Sequence, residues 1–84
     1  MTAIIELEPD AIAVQALDNS RLLIEFTTGE RKIFDMNELL DFPVYQKLKD
    51  TNEFQKAHVR YGIIYWDDVT DLAPETAYYQ GVSA

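Results

Sequence analysis

The segment Arg21-Leu22-Leu23-Ile24-Glu25-Phe26 lies between two clusters of turn residues, Asp18-Asn19-Ser20 before it and Thr28-Gly29-Glu30 after it. Leu22, Ile24 and Phe26 recur with a period of two, which puts them on one face of an extended strand and Leu23 and Glu25 on the other. Such a strand needs paired neighbours and a layer over its apolar face. Ile12–Leu17 on one side and Arg31–Met36 on the other have strand-forming composition, so the spacing predicts a three-stranded antiparallel meander. Gly29 supplies the positive φ that the second turn requires.

The remaining chain alternates short helical and extended signals. Asn37 reads as a helix N-cap, Glu38-Leu39-Leu40 as one helical turn, and Phe42-Pro43 as its end. Val44, Tyr45 and Leu48 fall on one helical face, Asp50-Thr51-Asn52 breaks that run, and Phe54 belongs to a further turn. His58–Tyr61 and Ile63–Trp66 read as strands around Gly62, with Ile64 and Trp66 facing one way and Ile63 and Tyr65 the other. A last helix starts near Pro74, with Glu75 at its positive end, Thr70 or Asp71 as its cap and Gly81 as its stop. The tail from Val82 to Ala84 is expected to fray. Strands joined by short turns, with helices inserted between and after them, give an α+β fold: a small, mostly antiparallel sheet built from the meander and C-terminal strands, with two or three short helices. No repeat or long linker interrupts the chain, so residues 1–84 are expected to form one domain.

A chain of 84 residues buries about 60–65% of the surface its unfolded form exposes, enough for one modest core and no deep cleft. There is no cysteine, which excludes disulfides, thiolate nucleophiles and Cys-based zinc sites. Met1–Glu8 meets acids at once and lacks the basic segment of a secretory signal. The uncharged apolar runs are far shorter than the ~20 residues that span a bilayer, so a cytoplasmic protein away from membranes is expected. The net charge of −8 is uneven: residues 1–30 carry −5, residues 31–60 carry +1 and residues 61–84 carry −4. Direct nucleic-acid binding is disfavoured by that field, and a basic protein partner fits it.

Three stretches in order have a familiar pattern: Val14-x-x-Leu17, Arg21–Phe26-x-x-Gly29-Glu30 and Phe34-Asp35-x-x-x-Leu39-Leu40. Leu48-Lys49-Asp50-x-x-x-Phe54 and Ile64-x-Trp66-x-x-x-x-Asp71-Leu72-x-Pro74-Glu75-x-x-Tyr78 continue it. Over residues ~10–80 the chain resembles the small bacterial domain-of-unknown-function family 2442. It departs from the pattern after Trp66, where many members have Pro and then an Asn-Gly turn but this chain has Asp67-Asp68-Val69. The resemblance implies a compact α+β domain, in some members joined to a helix-turn-helix module and in others encoded beside a toxin-like protein and labelled antitoxin-like. This chain ends at Ala84 with no such module, so contact with DNA is expected only through another protein.

Asp67-Asp68-x-x-Asp71 has the acid spacing of a magnesium-binding prenyl-diphosphate site, but the second metal site and large apolar cavity that chemistry needs do not fit this length. A solvated turn is the expected reading, with weak surface Mg²⁺ or Ca²⁺ binding as its alternative. His58 is the only histidine, with Glu53 as the acid able to orient it, and no Ser or Cys nucleophile is tied to it by a motif. The three glycines lack phosphate-cradling spacing, so no cofactor is expected. Trp66 is expected in the core.

Tyr65, Tyr78 and Tyr79 beside Asp67, Asp68 and Asp71 make the candidate partner-binding set, because tyrosine excludes water from an interface while acids meet Lys and Arg. The expected function is a non-catalytic protein-interaction domain, in its most concrete form antitoxin-like neutralisation of a basic partner by masking. A structural or oligomerisation domain within a transcription-regulator assembly is the alternative, with homo-oligomers possible, and a weakly metal-binding enzyme is a remote third.

Overall fold

In the computed structural model, which describes residues 9–84, β1 (Ala11–Leu17), β2 (Arg21–Phe26) and β3 (Arg31–Asp35) form the expected antiparallel meander. The reading of Met1–Glu8 lies outside the described residues. Leu22, Ile24 and Phe26 are fully buried, and their cross-strand partners Val14, Ala16 and Phe34 share the inner face. Asn19 and Ser20 both take positive φ in the 3₁₀ turn between β1 and β2, and Gly29 does so at +89° between β2 and β3. Ala11 opposes Phe26 while Ala13 opposes Glu25, so Ile12 is an extra residue that bulges outward and stays exposed.

The C-terminal strands divide between two sheets. β4 (His58–Arg60), β5 (Ile63–Tyr65) and β6 (Asp71–Leu72) make a separate three-stranded antiparallel sheet, while β7 (Val82–Ser83) pairs with β3 to give the larger sheet the order β1-β2-β3-β7. β4 and β5 are joined by Tyr61 and Gly62, with φ of 53° and 79°, a two-residue turn whose twist matches the hairpin. A Cβ on Gly62 would stand 2.8 Å from Asp10 Cγ, so glycine also permits the close approach through which Ala11 N donates to Gly62 O at 3.0 Å. That bond joins β1 to the smaller sheet.

Several local expectations are corrected. Asn37 caps no helix: Asp35 Oδ1 accepts from Asn37 N (2.8 Å) and Nδ2 (2.7 Å), and Asn37 Nδ2 also donates to Asn19 O, so residues 37–41 form turns. Pro43–Lys49 is a 3₁₀ helix, with three residues per turn, so Tyr45 and Leu48 stack inward and Val44 points out. Asp50 accepts from Asn52 N at 2.8 Å and so opens the single-turn helix α1 (Thr51–Phe54), which makes the turn expected at Phe54 a helical one. Neither Thr70 nor Asp71 caps α2 (Pro74–Gln80): Asp71 is held in β6 opposite Tyr65, and the cap position falls on Ala73 without a side-chain bond. Pro74 compensates, since its fixed φ suits the first turn and it has no N–H to satisfy. The tail is ordered by β7, and Ala84 N donates to Arg31 O at 2.9 Å.

The core lies against the inner face of the larger sheet, where Ile64 and Leu72 of the smaller sheet meet Leu48, Phe54, Met36, Leu40 and Ala77. Trp66 is buried as expected; its Nε1–H donates to Phe54 O at 3.0 Å and its ring packs beside Phe54 and Tyr45, each centroid 6.2 Å away. Trp66→Phe removes one of the two hydrogen bonds to that carbonyl, which still accepts from Ala57 N at 3.3 Å, and so costs about 0.5–1.5 kcal/mol. The expected result in thermal unfolding is a Tm lower by roughly 4–8 °C for each kcal/mol lost.

Candidate functional site

On the smaller sheet the register puts His58, Tyr65 and Asp71 in one cross-strand row and Arg60 and Ile63 in the next. The opposite face, carrying Val59, Ile64 and Leu72, belongs to the core. The Tyr65 ring is therefore held at the surface between two partners. The His58 imidazole stacks on it at 6.3 Å and 26°, and the Arg60 guanidinium sits 4.8 Å from its centroid. His58 Nδ1 lies 2.9 Å from Lys56 O, and the nearby Glu53 pairs with Lys56 rather than orienting the imidazole.

The acidic loop from Trp66 to Thr70 is closed by its own backbone, with Trp66 N donating to Thr70 O at 3.0 Å. Asp67 Oδ1 accepts from Val69 N at 3.0 Å and Thr70 N at 2.8 Å, while Oδ2 pairs with Lys47 of the 3₁₀ helix. The Lys47 ammonium, with the two backbone donors, holds the Asp67 carboxyl well below the usual carboxylate range. Asp68 is 92% exposed and among the described residues makes only a 3.5 Å ion pair to Arg60, so its carboxylate is open to an external cation. The Asp71 side chain is exposed, and its carbonyl accepts from Tyr45 OH at 2.7 Å. Burial, and secondarily the Asp71 charge, push the Tyr45 phenol up. The carboxylates of Asp67 and Asp68 thus serve different partners while that of Asp71 faces solvent, and among the described residues no three acidic or histidine side chains converge as a metal site.

Tyr78 and Tyr79 lie on α2 against the larger sheet instead. Tyr78 packs edge-on to Phe26 at 5.1 Å, Lys32 Nζ stands 3.9 Å from its centroid while donating to its carbonyl at 2.7 Å, and its hydroxyl donates to Glu30. That bond lowers the Glu30 carboxyl and raises the Tyr78 phenol. Tyr79 stands perpendicular to Tyr78, with centroids 5.2 Å apart, and is 69% exposed, which leaves much of its ring open to a partner. The six candidate residues therefore form two groups: Tyr65, Asp67, Asp68 and Asp71 on the smaller sheet and its loop, and Tyr78 with Tyr79 on α2. Arg60 and His58 join the first group. They were legible in the sequence only through the two-residue turn at Tyr61-Gly62, which sets them opposite Ile63 and Tyr65.

A carboxylate whose folded pKa is depressed adds stability that is present above its unfolded value, near 3.9, and lost as pH falls toward the folded value. Urea unfolding of the wild type and Asp67→Asn is expected to differ by a constant amount above about pH 5, with the gap closing below about pH 4. A gap independent of pH down to about pH 2 would show that the Lys47 pairing contributes nothing.

Among the described residues no helix is long and apolar enough to cross a membrane. The fold is similar to that of a crystal structure from Nitrosomonas europaea, of a protein called "Putative DNA Binding Protein NE0471", with a TM-score of 0.76 and 28% identity over 86% of this chain. The match covers 48% of that protein, so this chain spans about half its length. No curated protein matches the chain. The sequence profile described as "Protein of unknown function (DUF2442)" matches residues 11–83, nearly the whole chain, and the chain belongs to that family.

Proposed function

We propose that this domain is a non-catalytic protein-interaction module that masks a basic partner, in the manner of an antitoxin, through the outer face of its smaller sheet and the acidic loop beside it. The observation that carries this reading is the pairing of open carboxylates, Asp68 and Asp71, with a rigidly held surface aromatic, Tyr65. Charge brings a cationic partner to the surface, and an aromatic already fixed by its neighbours excludes water there with little loss of side-chain freedom. Asp67 has a different part: it shapes the loop that presents Asp68. Arg60 makes the surface mixed in charge, so the best partner offers Lys or Arg toward Asp68 and Asp71 and an acid or carbonyl toward Arg60.

A second reading, an assembly domain within a transcription regulator, is favoured by the similarity to half of a protein called a putative DNA binding protein. In that case the chain co-purifies from its host with a DNA-contacting protein while making no DNA contact itself.

The first reading is tested by titrating the purified chain with the product of the adjacent gene. Asp68→Lys with Asp71→Lys is expected to weaken binding at least tenfold, or ~1.4 kcal/mol, and to flatten its salt dependence. Asp67 is left in place because its loss disturbs the loop. Affinity unchanged by the double reversal would remove this surface from the interface.

A further inference from the structure

The larger sheet has a second face. Cross-strand pairing puts Ala13, Gln15 and Leu17 of β1, Arg21, Leu23 and Glu25 of β2, Arg31, Ile33 and Asp35 of β3, and Val82 of β7 on the side away from the core. Leu17, Leu23 and Ile33 take no part in the hydrophobic core, although each is half-buried by its neighbours, and Val82 is 65% exposed. The helices are on the other side: Ala77, Leu48 and Phe54 are core residues and Tyr78 packs on Phe26 of the inner face.

The ten residues form three rows across the strands. The central row, Gln15-Leu23-Ile33-Val82, is uncharged and mostly apolar. On one side lie Ala13, Glu25 and Arg31; on the other lie Leu17, Arg21 and Asp35. Two acids and two bases make this face neutral in a chain of net charge −8, and it holds two of the three arginines. Like-charged copies repel at long range, so a contact between them needs such a neutral patch.

We infer that this face binds a second copy of the chain, face to face, about a twofold axis that runs along the Gln15-Leu23-Ile33-Val82 row. That operation keeps each strand over its own copy and exchanges the two flanking rows. Leu23, Ile33 and Val82 then meet their own counterparts, Glu25 meets Arg21 of the other copy, and Arg31 meets Asp35 of the other copy, each twice by symmetry. Every charge on the face finds its opposite. A twofold axis along the strands would also match the charges but would set Gln15 against Val82, so the first axis is preferred. Arg21 Nε already donates to Asp18 O (3.3 Å) and Asp35 Oδ1 accepts from Asn37 N and Nδ2, which orients both groups and leaves the rest of each available.

Four strands about 4.8 Å apart and three rows about 6.8 Å apart give a footprint of a few hundred Å² per copy, on the order of 1,000 Å² in total once side-chain relief is included. That is the lower end for a specific contact, so dimerisation is expected to be weak and to need high protein concentration. A twofold domain deepens the assembly reading above and rests on it for its biological meaning, since paired copies bring two attached or associated DNA-contacting modules into one unit.

Sedimentation of the purified chain at concentrations up to ~1 mM tests the contact without any partner, so its failure is separate from failure to co-purify with a DNA-contacting protein. The wild type is expected to shift from monomer to dimer. Arg21→Glu alone sets Glu against Glu25, and Glu25→Arg alone sets Arg against Arg21, so each variant is expected to stay monomeric with an unchanged far-ultraviolet circular dichroism spectrum. An equal mixture of the two restores both charge contacts and is expected to form a heterodimer. Leu23→Thr, which keeps strand propensity, is expected to weaken wild-type association at least fivefold. A wild type that stays monomeric, a mixture that does not associate, or association indifferent to Leu23→Thr would each overturn the proposal.

Discussion

The buried indole of Trp66 connects parts of the chain that have little else in common. Its N–H closes on the last carbonyl of α1, its ring fills the space between Phe54 and Tyr45, and its own backbone N–H starts the acidic loop by donating to Thr70. Tyr45 in turn reaches Asp71 O, so the 3₁₀ helix is tied to β6. Helical segments as short as these are not stable in isolation. Packing on an aromatic with one polar handle gives them both apolar contact and a direction.

From that anchor the surface of the smaller sheet follows. Once β5 ends at a buried tryptophan, its alternate residues face solvent, and the register with β4 brings His58 and Arg60 to Tyr65. The acidic loop is stabilised largely by Asp67, which takes a cation from the 3₁₀ helix and two backbone N–H groups at once. Of the acids that dominate this end of the sequence, those free for an outside partner are the ones the loop and β6 leave unoccupied. The domain's field is acidic, but the surface that Tyr65 presents is mixed.

Much of the fold was legible because it depends on local rules. The turn residues at 18–20 and 28–30 and the two-residue rhythm of β2 define a meander whatever lies around them, and Pro74 opens α2 for reasons of backbone geometry alone, whereas Gly81 ends it at an ordinary φ of −76° and is required by space, since a Cβ there would stand 3.2 Å from Lys32 Cβ. Where local rules offer two solutions, contacts distant in sequence decide between them. Asn37 and Thr70 are both good caps in isolation, yet Asn37 is drawn to Asp35 and Asn19, and Thr70 is buried where it closes the acidic loop. Val44 fits an α-helical stripe but not the threefold stripe of a 3₁₀ helix. The bond from Tyr78 to Glu30 has no local signal, since the two residues lie 48 positions apart.

By itself the sequence determined the antiparallel α+β class, the inner face of the larger sheet, the burial of Trp66 and the acidic character of the chain, because periodicity, turn chemistry and net charge are local or additive. Tertiary structure alone decided that the strands divide between two sheets, that Val82–Ser83 pairs with β3 rather than fraying, that Asp67 shapes the loop while Asp68 and Asp71 remain open, and that Arg21, Glu25, Arg31 and Asp35 lie in opposed pairs around an apolar row. Each of those outcomes depends on residues far apart in the chain meeting in one register, and register is set by the whole packed sheet rather than by any segment within it.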